Sequence, residues 1–315
     1  SGSSSPAEHL ERLVDCGVYC AIPSIFYENR RASPMRYAAQ WTTIASNQSK
    51  YVHRWDPEVP PKGCVLIVHG LGEHGARYHR LAEDWVAAEF AVVAFDQQGH
   101  GLSPEARGCI QSYSSLLDDI HAMYQWCQRE YASVAPTLFG HSMGGNLVLN
   151  YALREYPRPA GVISSSPMIL AMNPPSAAFE RLARILLKCI PNYRLRSRVN
   201  PKHLMNSEVE QQAFREDRLF HAQLSLRLGA ALIDSGRWSL DQAHTLSTPL
   251  LLTHGTADIR TCPEASQEFG RRSGPLCRVE ILKDRLHDPF RDNERDEVIA
   301  MYNRFIRETA LSGAH

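Results

Sequence analysis

The sequence predicts an α/β fold with a mostly parallel central sheet, helices on both faces and an inserted helical segment. From residue 49 onward, short runs rich in Val, Ile and Leu alternate with longer segments of helical periodicity. This alternation is typical of a parallel sheet that helices cover on both faces. It stops between residues 166 and 245 and then resumes. Because about 80 residues are too many for a loop, that block predicts an inserted cap domain.

The strand candidates are apolar runs without polar alternation, as expected for strands that are buried on both faces. They span residues 64–68, 91–95, 137–140, 161–164, 249–253 and 278–282. Helical patterns lie between and after them at 78–89, 114–131, 144–156 and 293–309. Residues 39–45 and 51–55 predict an antiparallel hairpin at one edge of the sheet.

These elements divide the chain into three parts. The predicted core consists of residues 39–165 and 246–315, and the predicted helical cap insertion consists of residues 166–245. Residues 1–38 lack a strand pattern and predict an N-terminal extension with a surface helix. Its first five residues resemble a tag remnant and carry no fold information.

Composition excludes several classes of protein. The 34 Lys and Arg residues balance 34 Asp and Glu residues, which argues against a general nucleic-acid binder. A hydrophobic content of 43% argues against an acidic disordered chain. No segment holds the roughly 20 predominantly apolar residues of a membrane span. Since no secretory signal opens the sequence, we expect a cytoplasmic protein.

A G-x-S-x-G motif at residues 140–144 predicts a nucleophile, Ser142. It lies between a predicted strand and a predicted helix, which is the context that this motif requires. The glycines permit a turn so tight that the Ser142 hydroxyl is lifted above the sheet, at a helix N-terminus that favours negative charge. The alternative is a glycine-rich turn with a solvent-facing serine.

A serine nucleophile needs a base and an orienting acid, and in this fold both follow it in the order acid, then histidine. His287 comes directly after the last predicted strand, and the only later histidine is the terminal His315. Asp258 is the first carboxylate after the strand at 249–253. We therefore predict a triad of Ser142, Asp258 and His287. The alternatives are a solvated loop histidine and a turn-forming aspartate.

Two backbone N–H groups should form the oxyanion hole, and we predict those of Met143 and Leu71. Leu71 lies in a glycine-rich loop that also matches G-x-G-x-x-G at residues 70–75, with Asp96 ending the next strand. That pattern is the dinucleotide-binding fingerprint with its ribose-binding acid. It leaves the serine machinery unexplained, so we do not predict a dinucleotide cofactor.

Three motifs resemble those of the monoacylglycerol lipase and lysophospholipase family of α/β-hydrolases. They are HGLGEH at 69–74, DQQGHG at 96–101 and GHSMGG at 140–145, and the resemblance covers about residues 38–310. It implies the α/β-hydrolase fold with a helical cap over the site. It also implies a serine esterase without metal or organic cofactor, acting on monoacylglycerols, lysophospholipids or related acyl esters.

The resemblance assigns Ser142, Asp258 and His287 as the triad, with Leu71 and Met143 as oxyanion donors. Two features depart from the family pattern. The first is the N-terminal extension, and the second is the Asp-Pro that follows His287 where many members carry Glu and an aliphatic residue. A non-lipid esterase, a thioesterase and a peptidase on the same fold remain alternatives.

The predicted cap contains an amphipathic helix at 177–190 and a basic run. Its apolar face carries Phe179, Leu182, Ala183, Leu186 and Ile190. This face either packs on the core or lines an acyl tunnel and touches lipid. Arg194, Arg196, Arg198 and Lys202 either form a solvated surface or attract phosphate headgroups. We expect a lipid ester as the substrate and no nucleic-acid partner. Contact of the cap with a membrane or micelle is left open by the sequence.

Overall fold

The computed structural model describes residues 35–45, 48–131, 135–196 and 198–312. An eight-stranded sheet forms its centre, in the order β1-β2-β4-β3-β5-β6-β9-β10. Two further strands, β7 and β8, pair with each other only. The strands are β1 Met35–Ala45, β2 Gln48–Pro57, β3 Cys64–Val68, β4 Ala91–Phe95, β5 Thr137–His141, β6 Val162–Ser165, β7 Arg194–Arg196, β8 Gln223–Ser225, β9 Leu250–Gly255 and β10 Cys277–Leu282.

Every pairing from β4 to β10 across the large sheet is parallel, and the β1–β2 and β2–β4 pairings are antiparallel. The main helices are α1 His79–Ala87, α2 Tyr113–Glu130, α3 Met143–Ala152, α4 Ala177–Leu187, α5 Glu208–Glu216, α6 Leu226–Gln242, α7 Pro263–Ser273 and α8 Arg295–Ser312. The predicted mostly parallel α/β sheet is therefore confirmed.

Alternating residues of the central strands contribute their side chains to two hydrophobic cores, one on each face of the sheet. Val65 and Ile67 of β3 pack on one face with the buried side chains of α1 and α8. Leu66 and Val68 pack on the opposite face with those of α2, α3, α6 and α7. Burial on both faces explains why these strands are apolar throughout.

The N-terminal boundary predicted from the sequence is wrong by four residues. Strand β1 begins at Met35, whereas the predicted extension continued to residue 38. Most of β1 alternates between half-buried and exposed side chains because it lies at the edge of the sheet, so no apolar run marks its start. The remainder of the predicted extension, residues 1–34, lies outside the described residues.

The segment between β6 and β9 is mostly helical, as predicted, but not entirely. It holds α4, α5 and α6, and it also holds the antiparallel pair β7–β8, which the sequence did not predict. Each of these strands has only three residues, too few for a periodic signal. In the parts of the chain that the structure describes, no helix combines the length and apolar character needed to span a bilayer.

Candidate active site

Ser142 lies in the sharp turn between β5 and α3. Its backbone has φ +55° and ψ −112°, a left-handed φ that a non-glycine residue rarely adopts. A Cβ on Gly144 would lie 1.9 Å from the Val68 carbonyl oxygen, and one on Gly140 would lie 2.2 Å from the Gly144 carbonyl oxygen. The turn therefore requires glycine at both positions, which explains the spacing of the motif.

Asp258 and His287 form a direct pair at the carboxyl ends of β9 and β10. The Nδ1 atom of His287 lies 2.6 Å from Oδ2 of Asp258, and both residues are buried. The backbone N–H of Arg260 donates to Oδ1 of Asp258 at 2.7 Å, and the Thr261 hydroxyl donates to Oδ2 at 2.7 Å. The carboxylate is therefore held in one orientation, with its charge directed at the imidazole.

A second histidine, which the sequence did not single out, contacts the same carboxylate. The Nε2 atom of His254 lies 3.1 Å from Oδ2 of Asp258, and its Nδ1 atom lies 2.7 Å from the Ser266 hydroxyl oxygen. Burial by itself would raise the pKa of Asp258, but the charge of His287 and hydrogen bonds from His254 and His287 hold that pKa well below its usual value. The carboxylate is therefore ionised at neutral pH.

The pKa of His287 is shifted in the opposite direction. Burial favours the neutral imidazole and lowers this pKa, but the negative charge of Asp258 and the hydrogen bond to it outweigh burial. The result is a pKa above the ordinary histidine value. The pair can therefore accept a proton on His287 and stabilise the imidazolium that forms.

The loop after β3 lies close to Ser142, since a Cβ on Gly70 would lie 3.4 Å from the Cβ of Ser142. The Gly70 N–H donates to Oε2 of Glu73 at 3.0 Å, which fixes the turn that carries Leu71. Leu71, Ser142, Met143 and His287 line one cavity of about 360 Å³. The structure thus brings all five predicted residues to one place, with Asp258 buried behind His287.

A buried ionic network under the cavity was missed from the sequence. Arg291 donates through Nη1 to Glu73 at 2.6 Å and to Asp288 at 2.9 Å. Asp288 also accepts from Nε2 of His141 at 2.9 Å. Asp288 therefore contacts His141, the residue before Ser142, while Asp258 contacts His287. Only the three-residue spacing of Asp288 and Arg291 was visible in the sequence, and exposed pairs share that spacing.

Among the described residues, His141, His287 and Asp288 are the group whose ligand atoms could converge on a metal ion. Asp288 already bonds to His141 and to Arg291. The guanidinium of Arg291 beside these atoms opposes the entry of a cation, so the donor set fits an ion network better than a metal site.

The glycine-rich loop does not offer a cradle for a dinucleotide. A Cβ on Gly72 would lie 1.9 Å from the carbonyl oxygen of His221, so the segment between β6 and β9 already occupies that space. Asp96 is buried, and it accepts hydrogen bonds from the N–H groups of Gly75 at 2.8 Å and Leu102 at 2.7 Å. Asp96 therefore ties two loops together in place of binding a ribose.

The segment between α5 and β8 is bound to the loop after β3, which carries the predicted oxyanion donor Leu71 and is called the oxyanion loop below. The His221 N–H donates to the Gly72 carbonyl at 3.0 Å, and Asp217 accepts from Nη1 of Arg77 at 2.9 Å. Helix α4 lies beside the cavity but buries none of its residues. Phe179 and Ala183 line the cavity, while Leu182 and Ile185 are 53% and 60% exposed. The apolar face of α4 is therefore open to the cavity and to solvent.

Comparison with known proteins shows the family and the fold of this chain. The sequence profile of a family described as serine aminopeptidase, S33, matches residues 59–294, well over half of the chain. A monoacylglycerol lipase structure from Paleococcus ferrophilus is 31% identical, with a TM-score of 0.76, and the match covers 83% of this chain and all of that one. The chain belongs to the monoacylglycerol lipase family of α/β-hydrolases. The resemblance and the fold predicted from the motifs are thus confirmed.

Two curated relatives of this α/β-hydrolase are longer than the matched region. A putative monoglyceride lipase of Schizosaccharomyces pombe is 32% identical over 71% of this chain and 61% of its own length. An uncharacterized abhydrolase domain-containing protein of Dictyostelium discoideum is 29% identical over 81% of this chain, but the match covers only 27% of that protein. The chain therefore spans less than two thirds of both relatives.

Proposed function

We propose that this protein is a serine hydrolase that cleaves the acyl ester bond of monoacylglycerols or lysophospholipids. The observation that carries the proposal is the 2.6 Å contact between Asp258 and His287, in a cavity that also contains the strained Ser142. Relatives named as monoglyceride lipases support the lipid ester.

The reaction begins when the Ser142 hydroxyl attacks the ester carbonyl carbon. Since Nδ1 of His287 contacts Asp258, the other ring nitrogen, Nε2, takes the serine proton. The backbone N–H groups of Leu71 and Met143 stabilise the negative oxygen of the tetrahedral intermediate. His287 then donates its proton to the leaving alcohol, and a water that it activates releases the fatty acid from Ser142.

The cavity suits an acyl chain. The insertion between β6 and β9 supplies many of its apolar side chains, among them Leu195, Leu224, Leu226, Leu232 and Ile233. These groups favour burial of a hydrocarbon chain by roughly 0.8 kcal/mol per methylene. The volume of about 360 Å³ is within the usual range for a small-molecule site. We therefore assign residues 166–245 as the cap domain that forms the acyl site.

The family description favours a second candidate, a peptidase that binds a free α-amino group. Such an enzyme needs a carboxylate for the substrate's ammonium group. The carboxylates that line the cavity are Glu73, Asp288 and Glu180, and each contacts at least one arginine. In the described part of the chain, an arginine thus balances the charge of each of these three carboxylates. The esterase hypothesis is therefore better supported than the aminopeptidase hypothesis.

We also propose that the protein is cytoplasmic and that its cap touches a lipid surface. The apolar face of α4 is exposed, and so are Arg194 and Arg196 of β7, which follows α4 closely in the sequence. Apolar side chains beside basic ones are the pattern of a peripheral contact with anionic lipid. A lipid ester could then pass from the surface into the cavity that Phe179 borders.

The test is a hydrolysis profile of the purified protein and of its Ser142→Ala variant. The panel contains monoacylglycerols, lysophospholipids, p-nitrophenyl esters of increasing chain length and aminoacyl amides. We expect lipid esters to be the best substrates and the variant to lose activity by about 10³-fold or more. Full activity of the variant, or a preference for aminoacyl amides, would overturn the proposal.

A further inference from the structure

Arg260 differs from every other charged side chain that lines the cavity. Within the described residues its guanidinium has no hydrogen-bond or ion-pair partner, although it borders the same space as Ser142 and His287. Glu73 and Asp288 are bound to Arg291, and Arg184 is bound to Glu180. One uncompensated positive charge therefore faces the cavity.

The backbone of Arg260 is held on both sides. Its N–H donates to Oδ1 of Asp258 at 2.7 Å, and its carbonyl accepts from the Met172 N–H at 3.1 Å. The next residue, Thr261, forms a bridge to Ala171 at the start of the insertion. The side chain thus extends from a fixed point beside the Asp258–His287 pair, and only its own rotamers are free to adapt.

The chemistry of acyl transfer places the alcohol of the substrate next to this residue. In the proposed mechanism His287 protonates the leaving oxygen, so that oxygen must lie within hydrogen-bond reach of the imidazole. The carbonyl oxygen lies instead beside Leu71 and Met143. Arg260 lies in the same loop as Asp258, on the His287 side of the cavity. Its guanidinium therefore lies close to the leaving alcohol and to the substituents of that alcohol.

We infer that Arg260 is a specificity-determining residue that binds a phosphate group on the leaving alcohol, so that the enzyme prefers phosphate-bearing glycerol esters over neutral ones. This inference rests on the proposed serine-hydrolase function and names the alcohol that the same site accepts. A guanidinium presents a planar set of N–H donors that fits a phosphate, and such charge-assisted hydrogen bonds are stronger than neutral ones. A neutral glycerol leaves this cation without a partner.

The experiment uses two water-soluble substrates that differ only in the phosphate, 1-butyrylglycerol and 1-butyrylglycerol 3-phosphate. Because neither forms a lipid surface at the concentrations used, contact of the cap with lipid does not affect the comparison. The variants are Arg260→Gln, which removes the charge, and Arg260→Lys, which keeps it. The matched control is Arg271→Gln, an arginine on the outer face of α7 that binds Glu268 and does not line the cavity.

On the pH plateau of each protein, we expect Arg260→Gln to lower kcat/KM for the phosphate ester by about tenfold or more and to change that for the neutral ester less than about twofold. Arg260→Lys should retain most of the preference, and Arg271→Gln should leave both substrates unchanged. Competitive inhibition by glycerol 3-phosphate should weaken in Arg260→Gln by a similar factor. Activity on the neutral ester shows that each variant is folded.

Three results would overturn the inference. Unchanged kcat/KM values for both esters in Arg260→Gln would mean that the cation does not bind the phosphate. An equal loss on both esters would mean that Arg260 supports the fold or the triad. If the wild-type protein hydrolyses neither ester while other acyl compounds are cleaved, the alcohol assignment is wrong. If it hydrolyses no ester at all, the proposed function itself is wrong, and the inference about Arg260 falls with it.

Discussion

The Nη1 atom of Arg291 donates to Oε1 of Glu73 at 2.6 Å, between residues 218 positions apart in the chain. Arg291 follows His287 by four residues, and Glu73 holds the Gly70 N–H in the oxyanion loop. The loop of the proposed base and the loop of the proposed oxyanion donor are therefore joined by one buried ion pair. We therefore expect the relative position of the two loops to depend on that pair.

Replacing Arg291 should disturb both stability and catalysis. Arg291→Met leaves Glu73 and Asp288 buried with too little positive charge, which should lower the free energy of unfolding by about 3–5 kcal/mol. Because the oxyanion loop loses its support, kcat should fall more than KM rises. Denaturant unfolding and steady-state kinetics measure the two effects, with the exposed Arg271→Gln as the control.

The double variant Glu73→Gln with Arg291→Met separates the pair from its surroundings. If the two residues act through each other, the double variant should be less destabilised than the sum of the single changes. If the losses in the free energy of unfolding simply add, the pair has no direct role. An Arg291→Met protein that unfolds at the same denaturant concentration as the wild type would also contradict that role.

The raised pKa of His287 determines the pH below which kcat/KM should fall. The base must be neutral, so kcat/KM should fall as the pH drops through this pKa, with a midpoint above the ordinary histidine value of about 6.5. Among the neighbours of His287, Asp288 raises its pKa and Arg260 lowers it. Asp288→Asn should therefore move the midpoint to lower pH, and Arg260→Gln should move it to higher pH.

A neutral, soluble ester measured over a range of pH provides this test, with each profile normalised to its own plateau. Arg271→Gln should leave the midpoint in place. A midpoint that moves in the same direction in Asp288→Asn and Arg260→Gln would contradict the assignment of the acid limb to His287.

The basic residues of the proposed cap should affect activity only at a lipid surface. Reversing Arg194, Arg196 and Arg198 to Glu should weaken hydrolysis of an ester in anionic vesicles by at least about tenfold, because each basic residue near such a surface contributes about 1 kcal/mol. A soluble short-chain ester should be hydrolysed as before. Equal losses on both substrates would place these arginines in the fold or the cavity, and reversal of Arg271 is the matched control.

The sequence predicted those parts of the fold that have a strong local signal. The central strands are continuous apolar runs because helices cover both of their faces, and the structure has a strand at each predicted place. Edge strand β1 begins four residues before the predicted boundary, because its alternating side chains give no apolar run. Strands β7 and β8 were not predicted, because three residues are too few to show a period. Prediction failed where the local pattern was weak.

The same reasoning applies to the candidate site. The strand–turn–helix context located Ser142, and the order of acid and histidine selected Asp258 and His287, which the structure brings into contact. The contact of Arg291 with Glu73 could not be predicted, because nothing local relates residues so far apart. Whether Arg260 has a partner among the described residues depends likewise on which side chains surround the cavity, and the sequence does not show that.

Covalent labelling of Ser142 tests the central claim most directly. A fluorophosphonate reacts with a serine that a neighbouring base has activated, and mass mapping of the digested protein identifies the modified residue. We predict a single adduct on Ser142 in the wild-type protein, slow labelling in His287→Ala and none in Ser142→Ala. A wild-type protein that hydrolyses lipid esters but carries no adduct on Ser142 would contradict the account.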